Sequence, residues 1–446
     1  MKKYLSIALS AGLIFSAFPF SGCNASITPQ SRNENVLRIA SWDEYIDEGG
    51  EDSYKEGSSP LYEEFETWYK EQTGKNIKVE YITLQDNETM YNKIKMGDYY
   101  DLLCPSEYMI MKLAAENKLE KLPSTFFDCS IETNYYAKYL SPYIKSVFEN
   151  GKMNDGSSWA EYAAGYMWGS TGFVFNPEKI DYRIMKSWNA LTSEECERHI
   201  TAKDNVRDSY FMGLGMYYEN ELLALKADYE NGKVSRETYR QELSYLMNDT
   251  SSETMNAVKK CLEEMRGNLY GLETDEGKLD VIMGRLDASF QWSGDAVYIL
   301  DEAENNEFYY EYSIPEAASN LWFDGWVMMK GANVDAATAF INFLSMPENV
   351  VRNMYYIGYT SCIGGDEVFD YVAETYGAED GEEDTVEYDL GYFFGDGHSL
   401  TTYEEQTRRQ LFAQYPDAQT IDRLVVMEYF DKETNERANR MWNNIK

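Results

Sequence analysis

"VLRIASWDEY" (residues 36–45), taken with "IKVEYITLQDNETMYNKIKMGDYYDLLCPSEY" (77–108), decides the architecture. Val36–Ala40 is a short apolar run and predicts a strand. Ser59 and Pro60 read as a helix N-cap and a first-turn proline, and the helix after them stacks Leu61, Phe65, Trp68 and Tyr69 on one face before stopping at Gly74. Ile77, Val79 and Tyr81 alternate as a second strand. A helix around Met90 and Ile94 then leads to a third strand at Asp101–Cys104. A β-α-β-α-β opening predicts an α/β fold with a mostly parallel sheet and covering helices. In such sheets ligands bind beyond the carboxyl ends of the strands. Two loops fall there: Ser41-Trp42-Asp43-Glu44-Tyr45 and Pro105-Ser106-Glu107-Tyr108.

Further along, Tyr166–Asn176 is an extended segment with glycines at 169 and 172, a candidate crossing between lobes. Residues 216–248 predict helix broken at Asn231-Gly232, and Thr254–Arg266 a helix with Val258, Leu262 and Met265 on one side. Ala336–Leu344 is a strongly apolar helix. Residues 374–400, acidic and glycine-bearing, read as a surface excursion, and they lack the spacing of a calcium loop.

A chain of 446 residues is long enough for two or more domains. With 43% hydrophobic and 15% aromatic residues it is no solvated coil. Its formal charge of -37 excludes nucleic acid as a partner and makes cations the natural ones. Lys2 and Lys3 precede an apolar run, Tyr4–Phe20, that ends in Ser21-Gly22-Cys23. This is the pattern of a secretory signal, too short and wrongly flanked to span a bilayer. Residues 23–35 read as a tether. Cys104, Cys129, Cys196, Cys261 and Cys362 form no close pair, which argues against a disulfide framework or zinc ribbon, and Cys104 and Cys261 read as buried small hydrophobes. Two distant histidines, His199 and His398, speak against a Ser-His-Asp hydrolase or a histidine metal site. No catalytic residue, metal ligand or cofactor site is expected.

Tryptophan beside aspartate recurs in "SFQWSGDA" (289–296) and "LWFDGWVMM" (321–329). Aromatic faces cover methylenes and attract ammonium groups at about 0.5–2 kcal/mol per contact. Carboxylates at fixed separations pair with terminal charges and set the length accepted. Trp42 with Asp43 and Glu44, Ser106 with Tyr108, Trp292 with Asp295 and Trp322 with Asp324 therefore describe a box for a ligand with apolar stems and cationic ends.

Eight segments occur in an order that carries a family resemblance: "SWDEYI", "DNETMYNKIKMGDYYDLLCPSEYMIMKLAAENKLEKL", "YMWGSTGFVFN", "LDASFQWSGDA", "WFDGWVMMKGA", "FINFLSMPENV", "IGYTS" and "YPDAQTI". With them the chain, from about residue 36 onward, resembles the spermidine/putrescine-binding proteins of bacterial ABC importers. The resemblance breaks at 46–58, 214–250 and 374–412, which read as insertions. Ending on Ser-Gly-Cys, the leader resembles a lipoprotein signal (residues 1–22), with Cys23 lipidated and the protein held outside the cell membrane or in the periplasm.

The resemblance implies a two-lobed, periplasmic-binding-protein-like (type II) fold. One lobe would be 36–169 with 323–368 and the other 170–322 with 369–446, with the ligand in the cleft between them. It implies a monomeric receptor without chemistry of its own, delivering a polyamine to a permease and ATPase, with only the lipid touching the membrane. Trp42, Asp43, Glu44, Tyr45, Ser106, Tyr108, Asp208, Trp292, Trp322, Asp324 and Tyr359 match ligand-binding positions. Asp43 stands for a threonine and Asp208 for a glutamate, while Asn205 stands for an aspartate, which puts one charge contact in question. The same rings and acids also suit a sugar-binding receptor or an anchored carbohydrate-active enzyme, and both readings stay open.

Overall fold

A computed structural model describes residues 34–273, 277–379 and 381–446. The leader, Cys23 and the tether as far as Asn33 lie outside the described residues. The opening folds as its periodicity predicts: β1 (Val36–Trp42), β2 (Lys78–Leu84) and β3 (Leu102–Leu103) run parallel, joined by helices Leu61–Thr73 and Asn87–Met96. The first helix starts one residue later than expected. Pro60 is its N-cap and makes no side-chain cap bond, and Ser59 lies outside it. Gly74 ends it in the left-handed conformation, φ 71°, that a side chain would resist.

Strands β4 (Leu119–Glu120) and β5 (Ala163–Phe175) follow. Next come β6 (Ile200–Lys203), β7 (Gly271–Glu273), β8 (Ala288–Trp292), β9 (Glu311–Ser313) and β10 (Ser319–Met329). The sheet order is β2-β1-β3-β10-β5-β8-β6-β7. Its two flanks are parallel, β1 with β2 and β3 on one side and β6 with β7 and β8 on the other. The long strands β5 and β10 run antiparallel to each other through the middle. All thirteen residues of β5 are buried, which is why it reads as a nearly continuous apolar run and not as an alternating strand. The extended segment expected at 166–176 is this strand.

Apolar side chains form two clusters. The first gathers Leu37, Phe65, Leu102, Trp326 and Phe340; the second gathers Phe173, Trp188, Phe211, Leu262 and Phe290. The helical stretch begins earlier than its periodicity predicts, as Val206–Glu230, and resumes as Arg236–Met247 after the break at Asn231. Two expectations are corrected. Cys261 is half-buried, not buried, because its helix, Ser252–Asn268, turns that face partly outward. The acidic stretch 374–400 is more than a surface excursion. Its hairpin, Thr385–Asp389 with Ser399–Tyr403, turns Tyr388, Leu390, Phe393 and Leu400 into the first cluster while the acids face water.

The segment 46–58 is clamped from below. Arg352, almost fully buried, donates to Asp47 at 2.7 Å, Glu64 at 2.9 Å and Ser58 at 3.0 Å. Asn353 accepts from the Asp47 amide at 2.8 Å. A buried guanidinium with two carboxylates and hydroxyl support leaves little of its charge unanswered.

Candidate functional site

The strand ends converge. Trp42 closes β1, Ser106 follows β3, and Lys203, Glu273 and Trp292 are the last residues of β6, β7 and β8. Between these flanks, β10 presents Trp322 and Asp324 from its interior, with a register shift just after Asp324.

Asp324 is buried, and its carboxylate is met by donors from the opposite flank. The Tyr45 hydroxyl donates at 2.7 Å and the Trp42 ring nitrogen at 3.3 Å. Ser106, whose hydroxyl accepts from Asn87 at 3.0 Å, is bridged to Asp324 along the backbone and bonds its carboxylate. Burial raises the Asp324 carboxyl above its ordinary range, while the three donors pull it back down. Among the described residues no lysine, arginine or histidine pairs with it. Beside it, burial pushes Glu107 up to about 8, and the Asp324 charge adds to the rise. Burial likewise drives the Tyr45 hydroxyl well above its usual value, so it stays a donor.

Rings line the space next to this carboxylate. Tyr45 meets Tyr166 edge-on at 5.5 Å and Tyr359 at 5.9 Å, and Tyr359 meets Trp322 at 5.4 Å. Trp322 is held by donation to the Ser170 carbonyl at 2.9 Å. Tyr359 lies directly on Gly294: a methyl group there would stand 2.0 Å from the ring. Its hydroxyl donates to Asp295 at 3.1 Å.

On the other flank, Trp292 donates to Asp208 at 3.4 Å. Asp208 sits in the first turn of helix Val206–Glu230, where Asn205 is the N-cap. The Asn205 side-chain oxygen accepts from the amides of Arg207 (2.8 Å) and Asp208 (2.9 Å), and its amide group donates to the Asp208 carboxylate. Burial raises the Asp208 carboxyl, opposed first by Lys203. Arg207 bridges the flanks, 5.0 Å from the Tyr108 ring and 3.7 Å from that of Phe430, and donates to the Glu428 carbonyl. Tyr108 donates to Glu88 at 3.4 Å.

Of the residues expected from sequence, Trp42, Tyr45, Ser106, Trp322, Asp324 and Tyr359 form one connected group, and Asp208 with Trp292 forms a second. Tyr108 joins the second through Arg207. Asp43 and Glu44 are solvent-exposed, Glu44 with φ 52°. Reading the sequence put Glu107 in the loop beyond β3 without assigning it a role, and missed Tyr166, Lys203, Arg207 and the pairing of Asp295. The position of Lys203 at the end of a short strand was the one available signal. Among the described residues no group of His, Cys, Asp and Glu is disposed to hold a metal ion, and no helix is long and apolar enough to cross a membrane.

Comparison with known proteins shows the family and the fold. Residues 61–364 match the family model described as bacterial extracellular solute-binding protein. The spermidine/putrescine-binding periplasmic protein of Salmonella typhimurium is 25% identical over 363 residues, covering 80% of this chain and 84% of that one. Among solved structures, the spermidine/putrescine ABC transporter substrate-binding protein of Streptococcus pneumoniae superposes with a TM-score of 0.60 at 25% identity, covering 92% of this chain and 98% of the other. A Treponema pallidum lipoprotein shares the fold at 16% identity and a TM-score of 0.59, covering 92% and 99%.

Proposed function

This chain belongs to the bacterial extracellular solute-binding proteins, and from that premise we propose that it is the polyamine-capturing component of an ABC importer. Two lobes, one carrying β1–β3 and the other β6–β8, close over a linear polyamine about the crossing strands β5 and β10. Asp324 receives an ammonium, supported by Trp42, Tyr45 and Ser106. Trp322, Tyr359 and Trp292 cover the methylene stem, Asp208 faces a second amine, and Tyr108, Asp43 and Glu44 border the entrance. The loaded receptor hands its ligand to a permease and ATPase. It performs no chemistry, works as a monomer outside the cytoplasm, and is held at the membrane by lipid on Cys23.

The observation that carries this reading is Asp324. It is a desolvated carboxylate inside a ring-lined site, surrounded by neutral donors and answered by no cation among the described residues. A site of that charge is completed by an ammonium. The similarity to proteins named as spermidine/putrescine-binding supports the same ligand class.

Titration calorimetry with spermidine, putrescine, a neutral oligosaccharide and an anionic solute tests it. Heat is expected with the amines alone. Binding of the sugar with no response to either amine would overturn the reading in favour of a sugar receptor.

A further inference from the structure

Beside Trp292, an amine position is filled by the protein itself. Lys203 is 1% exposed. Its ammonium lies 4.3 Å from the centre of the Trp292 ring, 3.2 Å from Asp295 and 3.5 Å from Glu273. Lys278 completes the group at 3.1 Å from the second oxygen of Asp295. An ammonium over an indole, flanked by two carboxylates, has the geometry with which a protein would otherwise recognise a ligand amine.

The placement is built in. Lys203 pairs with Glu273 in the register of β6 against β7, so the two side chains are set beside each other by the sheet. The Ser209 hydroxyl donates to the Lys203 carbonyl at 3.2 Å, tying the strand end to the helix that carries Asp208. The Tyr359 hydroxyl, from the opposite flank, donates to Asp295. Asp295 is therefore answered by two lysines and a hydroxyl before any solute arrives.

We propose that Lys203 is a specificity-determining residue: its ammonium occupies the amine position at Trp292 and restricts the receptor to diamines in preference to triamines. This rests on the reading of the cleft as a polyamine site. Asp324 and Asp208 remain for the two ends of a diamine. A third ligand ammonium carried past Asp208 toward Glu273 and Asp295 meets Lys203 in a desolvated setting, where like charges repel strongly and both carboxylates are already paired.

Calorimetry on the full chain with putrescine and spermidine, in the wild type and two variants, decides it. The wild type is expected to bind putrescine about tenfold or more tightly than spermidine. Lys203→Met keeps the volume, removes the charge and leaves Glu273 without its cation, open to a ligand amine, while Lys278 still pairs with Asp295. The ratio of spermidine affinity to putrescine affinity is expected to rise about tenfold. Lys203→Arg keeps a cation and the wild-type order. Should Lys203→Met fail to fold, as judged by circular dichroism, Lys203→Gln, neutral and able to hydrogen-bond Glu273, takes its place with the same expected change in ratio. A wild type that binds spermidine as tightly as putrescine, or a preference unchanged in Lys203→Met, overturns the proposal. If neither amine binds the wild type, the polyamine reading itself falls; if both bind and the ratio ignores Lys203, only its assigned role does.

Discussion

A buried carboxylate is normally neutralised by a cation or a proton, because desolvating an isolated charge is costly. Asp324 is met by Trp42, Tyr45 and Ser106 instead, which hold its geometry without answering its charge. Asp324→Asn is therefore expected to weaken polyamine binding by about 2–5 kcal/mol in calorimetry, the range for removing one partner of a buried charge pair. Unchanged affinity would show that the ligand ammonium lies elsewhere. Glu107, pushed up to about 8, makes the site sensitive to pH. Below that value it is neutral; above it a second negative charge stands beside Asp324, so polyamine affinity is expected to rise as pH passes upward through about 8. The sign for stability is the opposite. The folded state keeps a proton on Glu107 that the unfolded chain gives up near the ordinary glutamate value, so stability falls as pH rises across that window. Glu107→Gln is expected to flatten the affinity profile in titrations on either side of that value, and a profile as steep as the wild type would rule Glu107 out as its source. Trp42 and Tyr45 stand out in the sequence as rings beside acids after a strand, and Asp324 as an acid in a tryptophan-bearing motif. It did not single out Glu107, whose chemistry comes from burial and not from its neighbours in the chain.

Short structural devices aim these side chains. Gly294 opens helix Ser293–Asn305 and lets the Tyr359 ring lie against the backbone. Gly294→Ala is expected to displace that ring, costing about 1–3 kcal/mol of stability in urea denaturation and weakening ligand binding in the same preparation. Loss of neither would mean the ring has room to shift. Asn205, which stands for an aspartate in the resemblance, is a helix cap that also steadies Asp208. The segment 46–58 is tied down by Arg352 through Asp47 and Ser58. Arg352→Met strands a buried carboxylate and is expected to cost about 3–5 kcal/mol on denaturation. A change below about 1 kcal/mol would show the clamp to be dispensable. The boundaries of the apolar helices were largely legible from periodicity. The core contribution of the 385–403 hairpin was not, since its acids masked an alternating pattern that becomes clear only when paired across the two strands.

For the whole molecule, the central pair β5 and β10 places Trp322 and Asp324 between two parallel flanks. A receptor that closes about such strands contracts when loaded. Small-angle scattering is expected to show a smaller radius of gyration with saturating putrescine than without ligand, and identical curves would argue for a preformed closed site. The chain's large negative charge favours fast capture of cations, an effect that added salt weakens.

The sequence by itself determined the β-α-β-α-β opening, the two loops beyond β1 and β3, and the grouping of rings with acids. Each follows from local periodicity and residue chemistry. Only the tertiary structure decided which acids are answered. Asp295 is neutralised by Lys203 and Lys278, whereas Asp324 meets Tyr45, 279 positions away, and no described cation. The net charge of a buried site is a sum over neighbours brought together by folding, and residues so far apart in the chain carry no local signal of meeting.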